Sequence, residues 1–222
     1  MKRNFEQTLG LLGIVSLLSY TAAVVFSPLA FPGYDWISQA VSDLSAETAP
    51  SRALWKQLSA LYMPCGIVCC TLCCGQIKGR CDRPVRLGVY LFAAMNWLSA
   101  VGYSMFPLTG AGQTEGAQNV MHMAVTVGVV LLSVASLALI IAGGIFRRAC
   151  PLLGIWAAVC LLFMLLGAVG TGALPGEYFG IPERFSVFAA TGFNAVLGIY
   201  MFRGFPQSNS KQQKSREFPA EK

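Results

Sequence analysis

Apolar and polar positions along this chain separate into long blocks. Six stretches stand out: Leu9–Leu29, Leu54–Ile77, Leu87–Phe106, Val120–Phe146, Leu152–Ala173 and Phe185–Phe202. They contain no Asp, Glu or Arg, and their one Lys, Lys56, lies at the start of the second. A charged side chain at the bilayer centre costs roughly 2.5–3.5 kcal/mol even on the mildest scale. Clearing charge from six spans of about 20 residues predicts six membrane crossings. Every backbone N–H and C=O in lipid must be paired internally, so each crossing is read as a helix. Pro64 inside the second span predicts a kink, and Pro84, Pro151 and Pro182 flank spans where they suit helix starts. The predicted fold is an all-α membrane protein, a six-transmembrane-helix bundle formed by a single domain over residues 1–206.

The first loop follows a different rhythm. Trp36, Ile37, Ala40, Val41 and Leu44 recur on one helical face between Asp35 and Glu47. This predicts a short amphipathic helix lying on the outer membrane surface with Trp36 at headgroup level. It either closes the bundle or roofs a pocket.

Composition agrees with the class. The 222 residues are 55% hydrophobic and 12% charged, against about 25% charged in soluble domains. The formal charge of +6 might suggest nucleic acid, but its distribution makes it a topology signal. Lys2, Arg3, Lys78, Arg80, Arg83, Arg86, Arg147, Arg148, Arg203, Lys211, Lys214, Arg216 and Lys222 fall on one side, and only Arg52, Lys56 and Arg184 on the other. The positive-inside rule then places both termini in the cytoplasm and the chain in the plasma membrane as a multi-pass protein. The first apolar run exceeds the roughly 7–15 residues of a signal-peptide core, so Thr21-Ala22-Ala23 is not read as a cleavage site. Residues 207–222 are polar and lysine-rich and are read as a disordered cytoplasmic tail.

The eight cysteines lie in spans or on the cytoplasmic side, where structural disulfides are not expected. Cys69-Cys70-Thr71-Leu72-Cys73-Cys74 contains a C-x-x-C, but no histidine accompanies it as a metal ligand. The run is read as small, polarizable packing residues, with lipidation of Cys73, Cys74 or Cys81 a weaker option. No cofactor and no metal site is implied. Gly10, Gly13, Gly143, Gly144, Gly167 and Gly170 suit close helix approach. Asn96 and Asn194, near the middle of the third and sixth spans, suit interhelical hydrogen bonding. No carboxylate or basic group sits at mid-depth, which disfavours an ion-driven carrier.

Candidate chemistry gathers on the outer face. His122, the single histidine, lies about one turn into the fourth span. Ser38, Ser42 and Asp43 come from the first outer loop, Glu115 and Asn119 precede His122, and Glu183 and Arg184 open the sixth span. Imidazole, carboxylate and guanidinium are the ingredients of general acid–base catalysis. Glu183 and Arg184 equally suit an ion pair at a helix end.

Three segments, DWISQAVSDL at Asp35–Leu44, FPLTGAGQTEGAQNVMH at Phe106–His122 and GIPER at Gly180–Arg184, together resemble the bacterial and archaeal membrane family called domain of unknown function 998. The resemblance covers about residues 9–203. It implies a six-span fold and marks Ser42, Asp43, Phe106, Pro107, His122, Glu183 and Arg184, without implying an activity.

Three functions fit these residues. The first is a membrane protein whose outer polar cluster closes the bundle and binds a lipid or amphiphile. The second is an interfacial hydrolase or transferase on a lipid or lipid-linked substrate. In it His122 is the base, Asp43 or Glu183 orients it, Arg184 stabilises charge and Ser38 or Ser42 is the nucleophile. The third is a small-molecule transporter with a polar route past Asn96 and Asn194. Membrane lipids are the implied partners, nucleic acid is not, and the oligomeric state is left open.

Overall fold

A computed structural model describes residues 4–113 and 115–206; the tail read over 207–222 lies outside them. Six helices, at 5–30, 52–76, 83–105, 117–146, 151–173 and 180–203, are long and apolar enough to cross a membrane. No strand occurs among the described residues. The six predicted spans are therefore all present, with ends shifted by a few residues.

The elements are α1 (Phe5–Leu9), α2 (Leu12–Phe26), α3 (Arg52–Leu58), α4 (Tyr62–Gln76), α5 (Arg83–Met105), α6 (Ala117–Ile141), α7 (Pro151–Ala173) and α8 (Gly180–Arg203). Helix α1 opens on an Asn4–Gln7 capping box and joins α2 in one span with a tight turn at Gly10–Leu11. The second span breaks between α3 and α4, one turn ahead of Pro64. The proline supplies no N–H for the Ala60 carbonyl, and its ring crowds that oxygen. Pro84 and Pro151 occupy first-turn positions of α5 and α7.

The spans close into a ring. Helix α2 packs on α4 and α8, α4 on α5, α5 on α6, α6 on α7 and α7 on α8, while α4 also touches α8 across the middle. Gly10 and Gly198 meet backbone to backbone: a Cβ on either would run into the other's carbonyl oxygen. Cys69 and Cys73 pack beside this crossing, their thiols directed at the Gly10 and Leu197 carbonyls (both 3.7 Å). The cysteine run thus sits in the bundle core. At mid-depth Asn194 donates to Asn96 Oδ1 (2.8 Å), and Asn96 donates to the Phe92 carbonyl (2.9 Å). Both asparagines are buried, beside an edge-to-face Phe92–Phe193 pair.

The first loop corrects the sequence reading. Residues 35–47 do not form an amphipathic helix; they make turns and a single 3-10 turn at Ser42–Ser45. The reason is competition for backbone donors. The Asp35 carboxylate takes the Ile37 N–H (3.0 Å) and the Ser38 hydroxyl (2.7 Å), and Gln39 Oε1 takes the Asp35 N–H (2.8 Å). Carboxylates from near and far take the N–H groups of Ala40 and Val41. Side chains of this kind divert a backbone from helical pairing. The apolar face still finds burial, with Val41 and Leu44 inside, while Trp36 stays exposed.

Candidate functional site

The loops at one end of the bundle interlock into a cap. Its centre is the Gln39–Ala40–Val41 backbone, on which three charged side chains converge. Asp43 Oδ2 accepts the Ala40 N–H (3.2 Å), and Glu183 Oε2 accepts the Val41 N–H (3.0 Å). The Arg184 guanidinium donates to the carbonyls of Gln39 (3.2 Å) and Gly180 (2.7 Å) and to the Tyr34 hydroxyl (2.7 Å). The Tyr34 hydroxyl itself donates to the Ala40 carbonyl (2.8 Å). Burial pushes the Tyr34 phenol up to about 12, so it stays protonated and can accept and donate at once.

Gly180 makes this geometry possible. Its N–H donates to the Ile37 carbonyl (2.7 Å), and a Cβ there would overlap the carbonyl oxygens of both Trp36 and Gln39. Only a glycine lets the start of α8 lie directly against the loop.

A second set of contacts ties in the loop between α5 and α6. The other Asp43 oxygen accepts the Gly112 N–H (3.0 Å), and the Glu47 N–H reaches the Leu108 carbonyl (2.9 Å). Asn119 accepts from the Thr109 N–H (3.1 Å) and donates to the Glu115 carbonyl (2.7 Å). His122 Nδ1 lies 2.8 Å from the Phe106 carbonyl, which makes Nδ1 the protonated nitrogen, and its ring packs on Tyr103 (centroids 4.9 Å). Gln118 donates to the Pro107 carbonyl (2.7 Å).

The structure thus brings Asp43, Glu183 and Arg184 onto one tripeptide and places His122 in a separate latch. Among the described residues no hydrogen bond joins His122 to Asp43 or Glu183. Nor do Glu183 and Arg184 form the ion pair that their adjacency suggested; the salt bridge found at this end is Arg52–Glu47 (3.5 Å). Ser38 is bound to Asp35, whose carboxyl the Ser38 hydroxyl and Ile37 N–H hold below its ordinary range. Ser42 opens the 3-10 turn, and its carbonyl accepts the Ser45 hydroxyl (2.9 Å). No group of three or more His, Cys, Asp or Glu positioned to hold a metal ion occurs among the described residues.

Beneath the cap lies an aromatic cluster. Tyr20 packs on Tyr62 (4.7 Å), Phe188 (5.7 Å) and Trp55 (6.0 Å), with Val24, Val41 and Val187 beside it. Glu183 sits one helical turn from Val187, above this cluster. Its second oxygen and the hydroxyls of Tyr20 and Tyr62 have no hydrogen-bond partner among the described residues. The buried side-chain atoms without a partner among the described residues are Ser27 Oγ and Asn194 Oδ1; the Glu183 oxygen and the two phenols instead keep spare hydrogen-bonding capacity beside the aromatic cluster.

Sequence reasoning missed Tyr34, Gln39, Gly112, Tyr20 and Tyr62. A tyrosine inside a lipid-spanning run was the available signal for Tyr20, since its hydroxyl needs a partner there. The loop residues act through main-chain geometry, which composition does not reveal.

Fold and cap together define a polytopic helical membrane protein with a polar, interlocked cap at one end. The chain belongs to the DUF998 family of proteins of unknown function, whose family model matches residues 14–200. Comparison with curated proteins and with solved structures found no match.

Proposed function

We propose that this protein is a plasma-membrane binding protein with cytoplasmic termini that holds a lipid or amphiphile under its outer cap. The single observation that carries the reading is the spare hydrogen-bonding capacity of Glu183, whose Oε2 alone is used on Val41, and of the Tyr20 and Tyr62 hydroxyls, beside the Tyr20–Trp55–Tyr62–Phe188 cluster. A carboxylate acceptor and two phenols suit a polar head with hydrogen-bond donors, and the aromatic faces suit its apolar body. The cap residues supply the roof: Asp43, Arg184 and Tyr34 are committed to backbone, which preorganises the loop before any ligand arrives.

The hydrolase reading asks the same residues for free lone pairs and a nucleophile–base contact. The Phe106 carbonyl holds His122 through Nδ1–H and leaves Nε2 its lone pair, but among the described residues no hydrogen bond joins His122 to Ser38 or Ser42, and the Ser38 hydroxyl donates to Asp35. The carrier reading needs a wet path past Asn96 and Asn194, which are buried and bonded to each other, with Asn194 Oδ1 left without a partner among the described residues.

The test is the set of lipids that co-purify in mild detergent with wild type, Glu183→Gln and Tyr20→Phe/Tyr62→Phe. One species enriched on wild type and lost from both variants, at unchanged thermal stability, supports the reading. Identical lipid profiles from all three contradict it.

A further inference from the structure

The opposite end of the bundle carries a second site of different chemistry. A groove of about 400 Å³ runs along the seam of α5 and α6, lined by Arg83, Pro84, Arg86, Leu87, Tyr90 and Leu139. Arg83, Arg86 or Leu87, and Tyr90 recur at the spacing of one helical face. The seam is rigid at this point: Ser136 donates to the Gly88 carbonyl (2.8 Å), and a Cβ on Gly88 would collide with α6. Leu87 and Tyr90 are exposed, as is Arg83, while Arg86 is half-buried. Arg83 and Tyr90 are seven positions apart, roughly 10 Å along the axis. The groove surface itself is apolar, with Arg83 and Arg86 contributing their aliphatic stems to it on the first turn of α5, and its length matches the step from a phosphate to the first methylenes of an acyl chain.

We propose that this groove seats one anionic phospholipid, with the headgroup phosphate between Arg83 and Arg86 and an acyl chain along Leu87, Tyr90 and Leu139. Charge complementarity selects this occupant. Arg147 and Arg148 follow α6 at the same end, Asp82 is the acid adjoining the groove, and guanidinium matches phosphate in a fork geometry. A transmembrane helix of a partner protein would set its own apolar side chains against the two arginines and leave them unmatched. The site is independent of the cap: it has other residues, the other end of the bundle and an opposite charge.

The experiment is native mass spectrometry of the full-length protein after stepwise delipidation, with phosphatidylglycerol, phosphatidylcholine or inorganic phosphate added back. Wild type is expected to retain one phosphatidylglycerol in preference to phosphatidylcholine. Arg83→Gln/Arg86→Gln is expected to lower that retention about thirtyfold, and Leu139→Trp, which fills the groove and keeps both arginines, to lower it as well. Equal retention of the two lipids, or no change in the double arginine variant, overturns the proposal. So does inorganic phosphate competing on equal terms while Leu139→Trp has no effect, which marks a free-anion site. Release of a bound protein by the arginine variant, without loss of lipid, also overturns it. Thermal melting of each variant confirms that the bundle is intact.

Discussion

At the cap end, Asp43, Glu183 and Arg184 turn inward and hold three residues of main chain; at the basic end, Arg83 and Arg86 line an apolar groove. The same residue types do different work because their surroundings differ. The first loop has too few regular backbone bonds to satisfy itself, so it recruits side chains from α8 and from its own sequence. At the basic end Arg80 likewise holds irregular main chain, donating to the Phe205 carbonyl (3.1 Å) just past α8, whereas Arg83 and Arg86 lie on the first turn of α5 and line the groove. Charge is architectural where backbone is irregular and is available for ligands where backbone is regular.

That contrast can be broken by mutation. The largest effect is expected from Arg184→Ala, which removes one donor group from Gln39, Gly180 and Tyr34 together. Hydrogen bonds to charged groups contribute about 1.5–3 kcal/mol each, so a loss of about 3 kcal/mol is expected in detergent melting, with faster hydrogen exchange over residues 34–46. Arg184→Lys should recover little, because an ammonium cannot reproduce the planar fork. Gly180→Ala should follow at about 2 kcal/mol, since its methyl must push the loop off α8. Its exchange signature should match that of Arg184→Ala.

Smaller effects sharpen the picture. Asp43→Asn keeps one acceptor and presents an NH2 group to the other N–H, for about 1–2 kcal/mol; exchange should rise at Ala40 or Gly112 but not at both. His122→Ala loses the Phe106 contact and should cost about 1 kcal/mol, read from melting and from exchange over residues 106–113. The Arg83→Gln/Arg86→Gln variant should stay within about 0.5 kcal/mol of wild type in detergent. A large loss there would show that the basic end is also architectural and would erase the contrast.

The six spans were legible because exclusion of charge from lipid acts residue by residue and needs no knowledge of neighbours. Pro64 announced the break in the second span for the same local reason. The cap was half legible. Asp43, Glu183 and Arg184 were visible as polar groups sharing one face, yet their shared target, the backbone of residues 39–41, was not. The Asp35–Glu47 helix failed on the same point: its apolar spacing is real, and Val41 and Leu44 are buried, but a side chain 142 residues away in sequence claims the Val41 N–H and local side chains claim others. Tyr20 and Tyr62 were passed over because a tyrosine in an apolar run reads as core until its hydroxyl is seen to lack a partner.

The most direct test of the binding account is complementation of a deletion strain, scored on its membrane lipid profile, by wild type and by His122→Gln at equal membrane abundance. Glutamine can still donate to the Phe106 carbonyl but cannot serve as a base. Full restoration by His122→Gln is the predicted result, with His122 acting as a latch for the loop. A correctly folded, abundant His122→Gln protein that restores nothing would contradict the account and make the imidazole a reacting group.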